Sequence, residues 1–141
     1  MKKRAGEKSD CPCESGREYS DCCKPVLKGE VLPATAEALM RSRYTAYVRE
    51  DADYLRRTWD PDNCPPDLTF NPGQRWLGLK IINCDGGGAN DESGTVEFVA
   101  RFKLVDRGHR LHELSRFQRI DGLWRYMDGE LVPARNTEER P

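Results

Sequence analysis

Four cysteines lie within thirteen residues near the N-terminus, and this cluster constrains the 141-residue chain more than any other feature. They are Cys11, Cys13, Cys22 and Cys23, in the segment CPCESGREYSDCC. Four thiolates form a closed tetrahedral set for zinc with no position left for water, which is typical of a structural site. The segment is too short and polar to form its own core, so we expect one zinc ion to hold it together.

The same cluster could consist of unpaired thiols, or it could contain a strained disulfide between the neighbours Cys22 and Cys23. Zinc is favoured over both, because thiols stay reduced in the cytosol and clustered thiols there indicate a metal site. Residues 14–16 can reverse the chain between the cysteine pairs, since glycine tolerates a positive φ angle. Cys64 and Cys84 stand apart from the cluster and are expected to be ordinary thiols.

The composition argues against membrane insertion and export. No stretch approaches the ~20 apolar residues of a membrane-spanning helix, and no apolar run follows the basic N-terminal residues, so we expect a cytoplasmic protein. The net charge of −1 gives no general attraction to nucleic acids. Residues 1–28 carry seven basic and five acidic side chains, and four thiolates with one Zn²⁺ bring this segment close to neutrality. Nucleic acid is therefore weakly supported as a partner, and a membrane is not expected.

The chain divides into three parts. Residues 1–28 form the cysteine-rich zinc module, and residues 29–132 carry the helix and strand patterns of one α+β domain. Residues 133–141 are polar and are expected to form a disordered tail. Within the domain, the proline-rich residues 60–73 predict an irregular connection between the helices and the strands.

Helical periodicity is found in the first part of the domain. Thr35 is a suitable N-cap for a helix that runs to about Glu50, and Asp51 for a shorter helix that ends near Trp59. Arg43 falls in the middle of the apolar stripe of the first helix. A guanidinium keeps its charge, so an arginine that faces the core needs an anion. The stripe comprises Ala36, Leu39, Met40, Tyr44, Tyr47 and Val48.

Alternating apolar residues predict a four-stranded antiparallel sheet in the rest of the domain. Residues 76–83 form the first strand and residues 95–104 the second, and two-residue turns are expected at 107–108 and 121–122. Both turns bring apolar faces together, which supports the register. The expected pairs are Phe102 with Glu113, Ala100 with Ser115, Arg119 with Trp124, Phe117 with Tyr126 and Ser115 with Asp128.

This register places polar side chains on an apolar face of the sheet. Carboxylates on such a face need partners or a wet cavity, so Glu113 and Asp128 are expected to bind Arg43. The aromatic residues around them are suitable walls for a small-ligand pocket. The candidate pocket comprises Arg43, Trp76, Glu113, Ser115, Trp124, Tyr126 and Asp128.

The cysteine segment resembles the SEC-C motif, a zinc-binding motif named after the preprotein translocase SecA. The family pattern is Cys-Pro-Cys-Gly-Ser-Gly, a spacer with an aromatic residue, and then Cys-His or Cys-Cys. This chain departs from the pattern at Glu14, where glycine is usual. The matching residues are Cys11, Pro12, Cys13, Ser15, Gly16, Tyr19, Cys22 and Cys23.

The chain as a whole resembles the YchJ-like family of uncharacterised bacterial proteins, and the resemblance covers residues 11–132. It implies a nuclear-transport-factor-2-like (cystatin-like) fold, in which a curved antiparallel sheet wraps around N-terminal helices and leaves a cone-shaped pocket. The matching stretches are residues 39–59, 76–79, 96–102, 112–117 and 124–129.

Two functions follow as expectations. The resemblance to SecA-like proteins implies that the SEC-C module contacts a protein partner, which would make the chain a zinc-binding adaptor or interaction protein. The alternative is that the pocket binds an unidentified small ligand or acts as an acid/base enzyme through Glu113 and Asp128. The predicted pocket face carries no histidine, and no serine or cysteine there has an adjacent base. A non-enzymatic role is therefore favoured, and no catalytic residue is assigned.

Overall fold

Four long strands form one antiparallel sheet in which each strand pairs with the next along the chain. The computed structural model describes residues 10–133. Bulges between β1 and β2 and between β3 and β4 interrupt the ladders, and bulges bend the strands that contain them. The predicted α+β fold with a curved antiparallel sheet is confirmed. The strands are β1 (Gln74–Gly86), β2 (Ser93–Leu104), β3 (Arg107–Ile120) and β4 (Leu123–Leu131).

The helices precede the sheet in the chain, and the two helices of the domain begin at the predicted caps. The Thr35 hydroxyl accepts a hydrogen bond from the backbone N–H of Ala38, and the Asp51 carboxylate accepts one from Tyr54, both at 3.0 Å. Among residues 10–133, no helix has the length and apolar character needed to span a membrane. The helices are a 3₁₀ turn (Tyr19–Asp21), α1 (Cys23–Leu27), α2 (Ala36–Arg49) and α3 (Ala52–Arg57).

The shorter of the two predicted helices begins where expected and ends slightly earlier. α3 ends at Arg57, two residues before Trp59. The backbone that follows α3 pairs with β4. The backbone N–H of Tyr126 donates to the Thr58 carbonyl, and the Tyr126 carbonyl accepts from the backbone N–H of Asp60, both at 2.8 Å. This pairing brings the end of α3 and the middle of β4 together.

α2 lies across one face of the sheet and contacts β1, β2 and β4. Leu39 of α2 and Leu55 of α3 are fully buried with Val96 and Phe117 of the sheet. Complete burial of a leucine or phenylalanine side chain contributes about 1.5–3 kcal/mol. These residues therefore fix the position of α2, which borders both the cysteine cluster and the interior of the domain.

The turn between β2 and β3 lies two residues earlier than the sequence indicates. Val105 and Asp106 form it, so that Phe102 pairs with His109 and Phe98 with Glu113. The predicted pairing of Phe102 with Glu113 is therefore wrong, as is that of Ala100 with Ser115. Side chains alternate between the two faces of a strand, so a shift by an even number of residues leaves each side chain of β2 and β3 on its predicted face. The alternation of apolar and polar residues therefore could not reveal the shift.

The turn between β3 and β4 lies at residues 121–122 as predicted, and the pairs Arg119–Trp124 and Phe117–Tyr126 are confirmed. Beyond them a bulge adds one residue to β4. Asp128 then pairs with Arg116, and Ser115 pairs with Gly129, so the predicted Ser115–Asp128 pair is wrong. One inserted residue moves all later side chains of β4 to the other face of the sheet.

The predicted tail and the first residues of the predicted zinc module lie outside the described part of the chain. Of the tail, only Pro133 is described. The division at residue 28 remains a prediction. Across it, Arg57 of α3 donates to the Leu27 carbonyl at 2.9 Å, so the two sides of the boundary are in contact.

Candidate metal centre and cavity

The four clustered cysteines converge on one point. Their Sγ atoms all lie within 4.8 Å of one another, with Cys13 and Cys22 at 3.6 Å and Cys22 and Cys23 at 4.0 Å. A tetrahedral site with Zn–S bonds of about 2.3 Å places its sulfur atoms about 3.8 Å apart. A disulfide needs about 2.05 Å, and all six cysteines of the chain are free. The cysteine set can therefore hold a tetrahedral metal ion.

Helix α2 forms one side of the cysteine set. The hydroxyl of Thr45, which is fully buried, donates to Cys23 Sγ at 3.3 Å and lies 3.7 Å from Cys11 Sγ. Arg41, one turn earlier, donates to the Cys13 carbonyl at 2.7 Å. Three of the four cysteines are buried in the same apolar cluster as the core of the domain. The cysteine segment is thus packed into the domain and is not suspended beside it.

The four sulfurs influence one another's protonation. Hydrogen bonds from Cys11 and Cys23 lower the pKa of the Cys13 thiol far below its usual range. Hydrogen bonds with Cys11 and Cys13, together with burial, raise the pKa of Cys23. Four thiolates at these distances repel one another, so their complete deprotonation requires a metal ion between them.

Glu14 ties the cysteine segment to the sheet. Its carboxylate accepts a hydrogen bond from the backbone N–H of Leu79 at 3.1 Å, beside the bulge of β1. Gly78 leaves the space for this contact, because a Cβ there would overlap the Glu14 carboxylate and lie 2.9 Å from Arg101 Nη2. Glu14 itself has a φ of 62°, a left-handed conformation that favours glycine.

Two substitutions of Glu14 distinguish the energetic cost of its backbone conformation from the contribution of its side-chain hydrogen bond. Glu14→Ala removes the hydrogen bond to Leu79 and keeps a Cβ at positive φ, whereas Glu14→Gly removes the same bond and relieves the backbone. We expect Glu14→Gly to be more stable than Glu14→Ala by about 1 kcal/mol, measured by thermal unfolding of the metal-loaded protein. Equal stabilities would contradict the assignment of strain to this residue.

A cavity of about 210 Å³ lies between α2 and the sheet. Aromatic side chains make up much of its wall, and polar groups enter it from α2 and β3. Five of the seven residues of the candidate pocket line it together: Arg43, Trp76, Glu113, Ser115 and Tyr126.

Arg43 is buried at one side of this cavity, with 3% of its surface exposed. Its Nη1 donates to the Leu55 carbonyl at 2.9 Å and to the Thr58 hydroxyl at 2.8 Å. The guanidinium stacks on the rings of Trp59 and Tyr126, at 4.7 and 4.6 Å from their centroids. Burial lowers the pKa of Arg43, but a guanidinium stays charged in proteins.

The predicted ion pairs of Arg43 with Glu113 and Asp128 are wrong. Within residues 10–133, Arg43 makes no ion pair with a carboxylate, and its hydrogen bonds go to neutral oxygens. Aromatic faces replace the expected anion, since a cation over a ring is attracted by the ring's quadrupole. The positive charge is therefore buried without a counter-ion from the described chain.

Glu113 lies elsewhere on the wall of the same cavity. Its Oε2 accepts hydrogen bonds from Ser115 at 2.7 Å and from the Tyr126 hydroxyl at 2.9 Å. Burial and then the charge of Glu113 raise the pKa of Tyr126. Tyr126 thus contacts both charges, with its ring against Arg43 and its hydroxyl on Glu113.

Trp124 and Asp128 do not line the cavity. Trp124 is buried at another position, where its Nε1 donates to the Ala34 carbonyl at 3.2 Å. Asp128 is turned outward by the bulge of β4 and accepts from Arg116 Nε at 2.7 Å. Glu113 and Asp128 therefore do not form the pair of neighbouring carboxylates that the acid/base hypothesis requires.

Four aromatic residues that the sequence did not assign to the cavity also line it: Tyr44, Tyr47, Trp59 and Phe98. Tyr47 belongs to the predicted apolar stripe of α2, so helical spacing contained the signal. Trp59 reaches the cavity through its bridge to Tyr126 of β4, a long-range pairing that has no local sequence signal.

Comparison with known proteins agrees with this architecture. Residues 35–129 match the family model described as the middle, NTF2-like domain of YchJ. A UPF0225 protein of Ralstonia nicotianae is 50% identical over 134 residues, covering 86% of this chain and 91% of the relative. A UPF0225 protein of Deinococcus radiodurans is 50% identical over 119 residues, covering 84% and 86%. The chain belongs to the YchJ-like UPF0225 family.

Two solved structures resemble this UPF0225 protein over most of its length. The solution structure of a SEC-C motif-containing protein from Rhodopseudomonas palustris has a TM-score of 0.76 and 37% identity, covering 89% of this chain and all of the other. The crystal structure of a SEC-C motif-containing protein from Psychrobacter arcticus has a TM-score of 0.68 and 27% identity, covering 88% and 83%.

Both candidate sites can be located relative to these matches. All residues that line the cavity fall within the NTF2-like region of the UPF0225 chain, whereas the four cysteines precede that region. The left-handed backbone at Glu14 explains why glycine is usual at this position of the SEC-C motif.

Proposed function

We propose that this protein binds a small molecule in the cavity between α2 and the sheet, and that zinc in the cysteine set stabilises the domain that forms this cavity. The buried charge of Arg43 carries the first proposal, because no carboxylate among residues 10–133 neutralises it. A buried charge without a counter-ion costs several kcal/mol, which contacts with ring faces offset only in part. Proteins carry such costs at functional sites, where a ligand supplies the missing partner.

The cavity has the dimensions of a site for a small ligand. An apolar cavity of about 150 Å³ accommodates a benzene-sized molecule, whereas drug-sized ligands occupy about 300–1,000 Å³. A volume of about 210 Å³ therefore suits a molecule with one substituted ring. The aromatic walls would contact the faces of such a ring, and the polar groups would fix its orientation.

Zinc is the metal that the cysteine set fits best. Four thiolates in a closed tetrahedron are typical of structural zinc, and a catalytic site would keep one position open for water. When bound, the ion would be held by Cys11, Cys13, Cys22 and Cys23 and would supply folding energy, not chemistry. The likeness to two SEC-C motif-containing proteins supports this assignment.

Filling the cavity tests the binding function. Ala100 is buried on β2 and lines the cavity, so Ala100→Leu extends into the empty space at a cost of about 1–3 kcal/mol. Native mass spectrometry of protein purified from its host should detect a retained compound of low molecular mass. We expect Ala100→Leu to lose this compound.

The matched control is Leu111→Met, which keeps the volume of a residue that lines the same cavity and pairs with Ala100 across the β2–β3 ladder. It should retain the compound, because a change of leucine to methionine conserves volume. Retention by Ala100→Leu would show that the compound binds elsewhere. A protein that carries no compound, and in which no ring-sized fragment perturbs Trp59 or Tyr126, would contradict the proposal.

The adaptor role is a second and separate prediction, which rests on the likeness to SEC-C motif-containing proteins. The exposed surface of the cysteine segment has mixed charge, with Arg17, Asp21, Lys24 and Lys28 turned outward. The burial of three cysteines against α2 favours a structural role for the segment over a role in contacts alone. Cytoplasmic location likewise remains a prediction from the sequence.

A further inference from the structure

We infer that the ligand of the cavity is a small zwitterion, with a carboxylate that binds Arg43 and an ammonium group that binds Glu113 on either side of a flat apolar ring. This inference rests on the proposed binding function and specifies the class of the ligand. It follows from the two charges that the cavity contains and from the way in which the protein keeps them apart.

The carboxylate end follows from the donors that Arg43 has left. A guanidinium carries five N–H donors. Nη1 uses its donors on Leu55 and Thr58, and the hydroxyl of Tyr47 interacts with the same guanidinium. Arg43 lines the cavity, and among residues 10–133 no further hydrogen-bond partner of its guanidinium is found. Paired N–H donors of a guanidinium match the two oxygens of a carboxylate better than any neutral acceptor.

The ammonium end follows from Glu113. Both of its donors, Ser115 and Tyr126, contact the same oxygen, Oε2. Among the described residues, Oε1 accepts no hydrogen bond. Because Glu113 lines the cavity, a donor bound there has this acceptor left to use. An ionised carboxylate has about four acceptor positions, and two hydrogen bonds leave it incompletely satisfied.

Charge balance favours a zwitterion over a simple acid. Arg43 and Glu113 together have no net charge, so a ligand with one carboxylate would leave a net negative charge in a site of low dielectric constant. A ligand with both charges keeps the site neutral and pairs each protein charge with its opposite. Tyr126 separates the two protein charges, because its ring contacts Arg43 and its hydroxyl binds Glu113.

The test uses four probes of similar size that differ in charge. They are 4-(aminomethyl)benzoate with both charges, 4-methylbenzoate with the carboxylate, 4-methylbenzylamine with the ammonium group, and p-xylene with neither. Binding to the full-length, metal-loaded protein is measured by ligand-observed NMR and calorimetry. We expect the zwitterion to bind at least about tenfold more tightly than each singly charged probe.

Two variants assign the effect to the two residues. In Arg43→Met, a carboxylate on the probe should no longer increase the affinity, whereas an ammonium group still should. In Glu113→Gln, the ammonium group should no longer increase the affinity, whereas the carboxylate still should. The four probes on the unaltered protein already decide the inference, so it can be tested even if a variant does not fold.

Each contrary result overturns the inference in a distinct way. Equal binding of p-xylene and the zwitterion would mean that the cavity takes apolar ligands, so the binding function would stand and the ligand class would be wrong. If 4-methylbenzoate bound as tightly as the zwitterion, Glu113 would not bind the ammonium group of the ligand. If none of the four probes binds, the ligand class is wrong, and the compound retained or lost by Ala100→Leu decides the binding function separately.

Discussion

Removal of the metal is expected to destabilise the whole domain, not only the N-terminal segment. Cys11, Cys13 and Cys23 belong to the same buried cluster as Leu39 and Ala46 of α2. Without the ion, four sulfurs within 4.8 Å of one another remain beside this helix. Structural zinc binds zinc-finger peptides with about 10–16 kcal/mol, whereas a typical domain is stable by about 5–15 kcal/mol. A loss of more than about 3 kcal/mol is therefore expected on metal removal.

Cys22→Ser tests this expectation, and Cys84→Ser is its matched control. Cys22 is the half-buried member of the set, so the substitution removes a metal ligand with little change in packing. Cys84 is exposed on β1 and lies outside the set. Elemental analysis should find about one zinc per chain in the unaltered protein and in Cys84→Ser, and much less in Cys22→Ser. Thermal unfolding should show a large decrease only for Cys22→Ser.

The opposite result would separate the cysteine segment from the domain. The sequence suggests that loss of zinc would disorder residues 1–28 and leave the main domain folded. If the metal-free protein kept its unfolding temperature while only the cysteine segment lost its NMR dispersion, the segment and the domain would be separable units. The hydrogen bonds from Thr45 and Arg41 to the cysteine segment are the reason for expecting the global effect.

The parts of the fold that depend on local chemistry could be predicted from the sequence. Thr35 and Asp51 cap their helices because a side-chain oxygen can reach an unpaired N–H two or three residues later. Asp121 and Gly122 form the turn between β3 and β4 because both adopt positive φ angles, which this residue pair tolerates. The cysteine set could also be predicted from the sequence, because the spacing of the four cysteines in the chain already defines a closed ligand set.

The parts that depend on one inserted residue or on long-range packing could not be predicted. The bulge of β4 turns Asp128 outward, and no local signal marks it. The sequence placed Arg43 in the core correctly, because helical spacing fixes the face on which it lies. It did not identify the partners, because Trp59 and Tyr126 come together only when the end of α3 meets β4.

Gly129 is the residue that should be least tolerant of a side chain in the cavity region. It pairs with Ser115 across the β3–β4 ladder, and a Cβ there would overlap the Glu113 carboxylate and lie 3.0 Å from the Tyr126 hydroxyl. Gly129→Ala is expected to displace the carboxylate. The hydroxyls of Ser115 and Tyr126 would then lose their acceptor, and an unsatisfied buried polar group costs about 1–3 kcal/mol. The expected destabilisation is therefore about 2–4 kcal/mol, for two such groups with partial relaxation.

Gly108→Ala is the matched control, because Gly108 is also a strand glycine without a positive φ and a Cβ there meets nothing within 4 Å. It should be neutral to within about 0.5 kcal/mol. The readout that separates loss of the Glu113 contact from a general loss of packing is the titration of Tyr126. Glu113 contributes to the raised pKa of this phenol, so Gly129→Ala should lower that pKa towards the ordinary value, while Gly108→Ala should leave it unchanged. A Tyr126 pKa that does not move in Gly129→Ala would show that Glu113 keeps its position and that the close approach at Gly129 is relieved by the backbone.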